Sequence, residues 1–197
     1  MNKKARGYLS YSWYWYLLIA VTVGGAFYGI YTAAHALKNE EKLEVFVAAK
    51  FLEKEKMASL LKQEVEDKAE AIKSYSFDYY DPASSYYSSV FQTRGLVDAD
   101  LIVLPEGQLD SRVCPSYFAA ISLEENQDYL PSETGEAAEY EGITYGLSLG
   151  SRWKELGAFS EGKAYFVFLN KHSDKLGALK QGSANDAGLY ALGALAS

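Results

Sequence analysis

The pattern of apolar and polar positions divides the chain into two unlike parts. Trp13 to Leu37 holds no Asp, Glu, Lys or Arg over 25 residues. As a helix this run is about 37 Å long, enough to cross a hydrocarbon core of roughly 30 Å with some tilt. Beyond it the pattern breaks into short pieces. Leu43–Ala48 is a compact apolar run rich in β-branched residues and predicts a strand. Met57, Leu60, Leu61, Val65, Ala69 and Ile72 recur three and four apart, with Glu and Lys between them, and predict an amphipathic helix. Residues 72–79 alternate and predict a second strand, broken by Asp81-Pro82. A second helix is expected from a cap at Ser84 or Ser85 through Arg94, ended by Gly95. Leu101–Leu104, closed by Pro105, predicts a third, fully apolar strand.

Residues 43–105 therefore read β-α-β-α-β, a unit that winds right-handed into a parallel sheet covered on both faces. After it come a short helix near Tyr117–Ile121, an acidic loop over 124–141, strands at 143–149 and 164–169, and an apolar helix at 186–195. The fold expected is α/β: an N-terminal transmembrane helix, then one parallel or mixed βαβαβ lobe. The alternative is that the apolar helix continues through 38–70 as a stalk.

Charge sharpens the division. The first 37 residues carry Lys3, Lys4 and Arg6 and no acid, so the formal charge of −7 is +3 there and −10 over the rest. The basic flank predicts that the N-terminus is cytoplasmic and the acidic bulk extracellular. Trp13–Tyr16 and Tyr28/Tyr31 mark the two ends of the apolar run, as interfacial aromatics do. The expected organisation is a basic tail over 1–12, a membrane helix over 13–37, a linker over 38–42 and an extracellular domain over 43–197. A cleaved signal peptide with Ala34-His35-Ala36 as its site is the rival reading. Gly25 and Gly29 form a G-x-x-x-G pair within the run. The acidic balance argues against a nucleic-acid partner, which requires Lys and Arg to neutralise phosphates.

Candidate chemistry is sparse. Cys114 is the single cysteine, which excludes an intrachain disulfide and a Cys-rich zinc site. His35 and His172 are the two histidines and form no metal-ligand spacing, so no metal or cofactor is expected. Gly146-Leu147-Ser148-Leu149-Gly150 matches the nucleophile-elbow pattern G-x-S-x-G, with Glu155 or Glu161 and His172 downstream. The same residues also read as a strand of small side chains, and a non-enzymatic protein is expected. Cys114 with His172 is the weaker thiol alternative.

The wording of several segments resembles a known family. These are Leu43-Glu44-Val45-Phe46-Val47-Ala48-Ala49, Ser76-Phe77-Asp78-Tyr79-Tyr80-Asp81-Pro82, Tyr86-Tyr87, Phe91-Gln92-Thr93-Arg94-Gly95 and Asp98–Glu106. Tyr145–Leu149 is similar to a strand returning from a second lobe, and Tyr165–Lys171 to its partner. Together they resemble the extracellular solute-binding proteins of bacterial ABC importers, of periplasmic-binding-protein type 2 fold. The resemblance implies a bacterial surface protein that binds a small molecule and has a membrane or transporter partner. The chain departs from the family in length: about 35 residues separate Glu106 from Gly142, too few for a second lobe. A membrane helix also stands where the family's lipidated cysteine would be.

In an open α/β sheet, ligands sit beyond the carboxyl ends of the strands. That rule selects Lys50, Phe51, Asp81, Tyr86, Tyr87 and Glu106, with Gln108 beside them. The tyrosines would stack on a ligand, and the carboxylates would accept from its hydroxyls or amines. The plainer reading gives Asp81 a turn, Ser84 a cap and the tyrosines packing. Three functions follow: a membrane-anchored solute-binding-like protein, an interaction protein using the lobe as scaffold, and a serine hydrolase at Ser148.

Overall fold

A computed structural model describes residues 3–107, 114–130, 135–159 and 162–197. The chain divides between Leu37 and Lys38 into two compact units.

The first unit is the helix α1 (Lys3–His35). Among the described residues, its segment Trp13–His35 is the one helix long and apolar enough to cross a membrane. A signal sequence near an N-terminus passes the same test of length and composition. Thr22 and Thr32 donate to the carbonyls of Leu18 and Tyr28 four residues back, at 2.8 and 2.9 Å, so their hydroxyls are satisfied within the helix.

The second unit is α/β. A 3₁₀ turn at Asn39–Glu41 leads into β1 (Lys42–Val47) and a two-residue β2 (Phe51–Leu52). Then come α2 (Lys54–Val65), β3 (Ser74–Tyr79), α3 (Tyr87–Val90) and a π-helical segment at Phe91–Asp98. β4 (Leu101–Pro105), α4 (Cys114–Tyr117), β5 (Ala137–Tyr140) and β6 (Ile143–Ser148) follow. The chain finishes with α5 (Ser151–Lys154), β7 (Gly157–Ala158), β8 (Tyr165–Leu169) and α6 (Ala187–Ala196).

Six strands form a mixed sheet in the order β3-β1-β4-β8-β6-β5, and β2 pairs separately with β7. β3, β1 and β4 are parallel, whereas β8 runs antiparallel to both β4 and β6. Both faces are covered, so β4 and β8 are buried at every residue, which is why they read as unbroken apolar runs. On one face Leu43, Val45 and Val47 join Val103 and Val167 beneath α2, α6 and the buried Trp153. On the other, Phe46, Ile102, Leu104 and Phe168 lie beneath Leu96 and Phe118, with Tyr87, Val90 and Phe91 packed against them.

Several expectations change. The stalk is not formed: the helix ends at His35 and β1 begins at Lys42. α2 stops at Val65 instead of running to Ile72; Ala69 and Ile72 keep the buried phase from successive turns. Neither Ser84 nor Ser85 caps α3, whose N-cap is Tyr86. Gly95 does not end the second helix. It lies within the π-helical segment, where a Cβ would meet the Phe91 ring at 2.7 Å, so the missing side chain permits close approach. The short helix expected at Tyr117–Ile121 ends at Tyr117, and Phe118 instead bridges to Asn170. Ala137–Tyr140, expected within an acidic loop, is strand β5. Its Ala138 and Tyr140 pack against the second core while Glu139 faces solvent. Residues 131–134 of that loop lie outside the described residues.

Candidate functional site

The connections of the sheet define where its carboxyl edge opens. From β1 the chain moves outward to β3; from β4 it goes on to β5, β6 and β8, on the opposite side. The switch point therefore lies between β1 and β4, and crevices in open α/β sheets form at the carboxyl ends of such a pair. Lys50 and Phe51 follow β1 there, and Glu106 follows β4. Asp81, Tyr86 and Tyr87 come one strand further out, after β3.

The described residues at this edge are arranged as follows. Phe51 is 52% exposed and packs edge-on against Tyr79, with ring centres 6.1 Å apart. Tyr80 is 38% exposed and stacks on Phe46 at 5.9 Å. Tyr86 is 75% exposed. Tyr87 turns inward, stacked on Phe91 at 5.8 Å, and burial pushes its hydroxyl well above the usual tyrosine range. It is a packing residue. Asp81 accepts the Ala83 N–H at 2.8 Å and holds the turn after β3. Lys50 and Glu106 are solvent-exposed, fixed by main-chain bonds to Ala158 at 3.1 Å and Ala164 at 2.7 Å. Gln108 lies outside the described residues.

One part of this edge was not read from sequence. β7 pairs with β2, and Glu53 donates to the Leu156 carbonyl at 2.8 Å. The β6–β8 connection thereby supplies a second wall beside Phe51.

A cavity of about 420 Å³ opens at the opposite edge. It forms where the amino ends of β1 and β4 meet the chain leaving β8, and Lys42, Glu44, Arg94, Asp98, Asp100 and Lys175 contribute to its lining. Its floor is a buried polar network. Asp100 Oδ1 accepts from Ser173 Oγ at 2.6 Å and Lys175 Nζ at 2.8 Å, and Oδ2 accepts the Glu44 N–H at 2.9 Å. Asn170, 1% exposed, donates to the carbonyls of Leu96 and Ala99 at 3.0 and 2.7 Å and so ties off the π-helical segment. Lys180 Nζ donates to the Ser173 carbonyl at 2.9 Å and steadies the wall. Glu44 carries the cavity's perturbed carboxyl group: burial, then the charges of Asp100 and Asp98, push it above the usual carboxylate range.

The G-x-S-x-G residues are explained by packing. A Cβ on Gly146 would meet the Phe168 ring at 2.5 Å, and one on Gly150 would overlap the main chain of Ser197. Ser148 pairs with Phe166 at the start of β8, whereas His172 follows its far end, so the strand's length separates them. Glu155 follows α5 near the Ser148 end, and Glu161 lies outside the described residues. The Cys114 side chain also lies outside them, and the His172 ring sits edge-on to Tyr117 at 6.4 Å. Among the described residues no group of three His, Cys, Asp or Glu side chains is placed to hold a metal.

No protein-family model matches this chain, and no curated protein matches it either.

Proposed function

We propose that the chain is a membrane-anchored, extracellular, solute-binding-like protein of bacterial type, non-enzymatic, with a single lobe of periplasmic-binding-protein type 2 kind. On this reading α1 crosses the bilayer with its basic end cytoplasmic, and the 38–197 domain takes a small molecule at the carboxyl edge of its sheet. The observation that carries it is a set of exposed aromatic side chains, Phe51, Tyr80 and Tyr86, in the segments that follow β1 and β3 at the carboxyl edge. Aromatic faces flanked by a few polar groups are what such sites offer a ligand. The sheet also supports it: the segments resembling a returning strand and its partner, within β6 and β8, are direct neighbours.

Purified full-length protein, unfolded thermally in the presence of maltose or trialanine, tests the small-molecule reading. The melting temperature should rise with at least one of them, because a ligand at about 100 times its Kd adds roughly 2.7 kcal/mol. The rise should disappear in Phe51→Ala and Tyr86→Ala, whose side chains are more than half exposed. No rise with either compound overturns maltose- or peptide-type binding.

The same exposed aromatics also favour a second reading, an interaction protein that uses the lobe as a scaffold, since aromatic residues are enriched at protein interfaces. A membrane or transporter partner cross-linked in cells to the wild type, and lost with Tyr86→Ala, would select it.

A further inference from the structure

We infer that the cavity at the amino edge of the sheet is a second binding site, built for a small zwitterion held between Lys42 and Glu44. On this face of the sheet the apolar cover of Tyr87, Phe91 and Leu96 lies over Phe46. Lys42 and Glu44 continue the same row of β1 beyond that cover. Both line the cavity and both are only half-buried. Alternate residues of a strand share a face and lie about 6.6 Å apart along it.

Their charges are opposite, yet neither side chain makes a hydrogen bond or ion pair with the other or with another described residue; it is the Glu44 main-chain N–H that reaches Asp100. The neighbouring charges are already engaged. Asp100 belongs to Lys175 at 2.8 Å, and Asp98 faces Arg94 at 3.4 Å. The polar network beneath is satisfied by its own members, so the walls are set before anything binds. What remains is one ammonium and one carboxylate, side by side in a polar cavity of about 420 Å³. A lone anion would meet Lys42 but also the carboxylates of Glu44, Asp98 and Asp100. A lone cation would relieve Glu44 and leave Lys42 unpaired. A molecule carrying both charges a few ångströms apart answers both, its ammonium against Glu44 and its acid group against Lys42. This site is separate from the carboxyl edge and does not depend on the function proposed there.

Calorimetric titration of the full-length protein at pH 7 with glycine, β-alanine and γ-aminobutyrate tests the inference, the series varying the distance between the two charges. At least one should bind saturably. n-Butylamine and butyrate, each with one of the two charges, should bind about tenfold more weakly, the loss of one charge-assisted hydrogen bond. Glu44→Gln and Lys42→Gln should each cost a similar factor, while Phe51→Ala should change nothing. The inference is overturned if none of the three amino acids binds saturably. It is equally overturned if n-butylamine or butyrate binds as tightly as they do, or if the two cavity variants bind like the wild type. Loss of binding in Phe51→Ala alone would place the ligand at the carboxyl edge, which rejects this site and supports the other.

Discussion

Lys175 Nζ lies 2.8 Å from Asp100 Oδ1, and the two side chains are 6% and 7% exposed. They are 75 positions apart in the chain, and their contact ties the turn after β8 to the start of β4. Such a pair contributes little over an apolar substitute, but removing one partner strands the other charge. Asp100→Asn should therefore destabilise the domain by about 3 kcal/mol. For a domain of this size that lowers the melting temperature by roughly 6–12 °C. Asp100→Asn combined with Lys175→Met should be less destabilised than Asp100→Asn alone, because no buried charge is left unpaired. Trp153, buried and the single tryptophan beyond Leu37, reports the unfolding. A double variant less stable than the single one would contradict this account.

Gly146 is selected by its partner Phe168 on the neighbouring strand β8, and Gly150 by the main chain of Ser197. Gly146→Ala would press a methyl group onto the Phe168 ring and the Val167 carbonyl, which a Cβ would meet at 2.5 and 2.9 Å. Overpacking of this kind costs about 1–3 kcal/mol. Ser148→Ala, at the end of the same strand, removes only a half-buried hydroxyl and should leave stability within about 0.5 kcal/mol. Urea unfolding of the two variants measures the contrast. Equal effects would mean that the close approach of β6 to β8 is not what selects glycine.

Glu44 predicts a dependence on pH with a definite sign. Burial raises its pKa, and the nearby charges of Asp100, Asp98 and Asp78 add to that against the opposing pull of Lys42. The folded state therefore keeps the Glu44 proton to a higher pH than the unfolded chain does. The stabilising contribution of this group is present at low pH and is lost as pH rises through the raised value. At neutral pH the ionised carboxylate is a net cost. Glu44→Gln should stabilise the unliganded protein at pH 7, and the gain should vanish near pH 4. The group is only half-buried, so solvent screening limits the gain to a few tenths of a kcal/mol, or about 1 °C in melting temperature. Glu41, held low chiefly by its hydrogen bond from Lys73, acts with the opposite sign. Comparing Glu44→Gln with wild type cancels that background. A stability gain that persists unchanged at pH 4 would exclude this origin.

How far the fold was legible follows from where each segment is buried. β4 and β8 announce themselves because both their faces are covered, so their residues are uniformly apolar. β1 announces itself at Val45–Val47, though its polar start at Lys42 does not. β5 is hidden because only alternate side chains meet the core, in a stretch dominated by glutamates. Gly95 reads as a helix terminator until Phe91 and Phe46 are seen to close over it. The amino-edge cavity escapes the sequence for a topological reason. The rule that ligands collect beyond strand carboxyl ends points to one edge of a parallel sheet. Here β8 runs the other way and delivers its own carboxyl end, with Asn170–Lys175, to the opposite edge. Nothing local in Asp100 or Lys175 signals that they meet, because only the antiparallel pairing of β4 and β8 brings them together.

The last prediction concerns α1. Its apolar stretch Trp13–His35 is followed within a few residues by the 3₁₀ turn that opens the α/β unit. If the helix anchors the chain, as proposed, alkaline carbonate extraction should leave the full-length 21.8 kDa protein in the membrane pellet. Replacing Ala34 and Ala36 with leucine should not change its apparent size, because no cleavage takes place there. A cleaved leader would instead release a smaller product, and the Ala34/Ala36 variant would accumulate the longer form. Orientation separates in the same cells. On the proposed topology, in which the basic Lys3, Lys4 and Arg6 keep the N-terminus inside, protease added outside should remove the acidic domain and spare an epitope fused to the N-terminus. Digestion of the N-terminal epitope with the domain protected would reverse the topology and exclude an extracellular binding role.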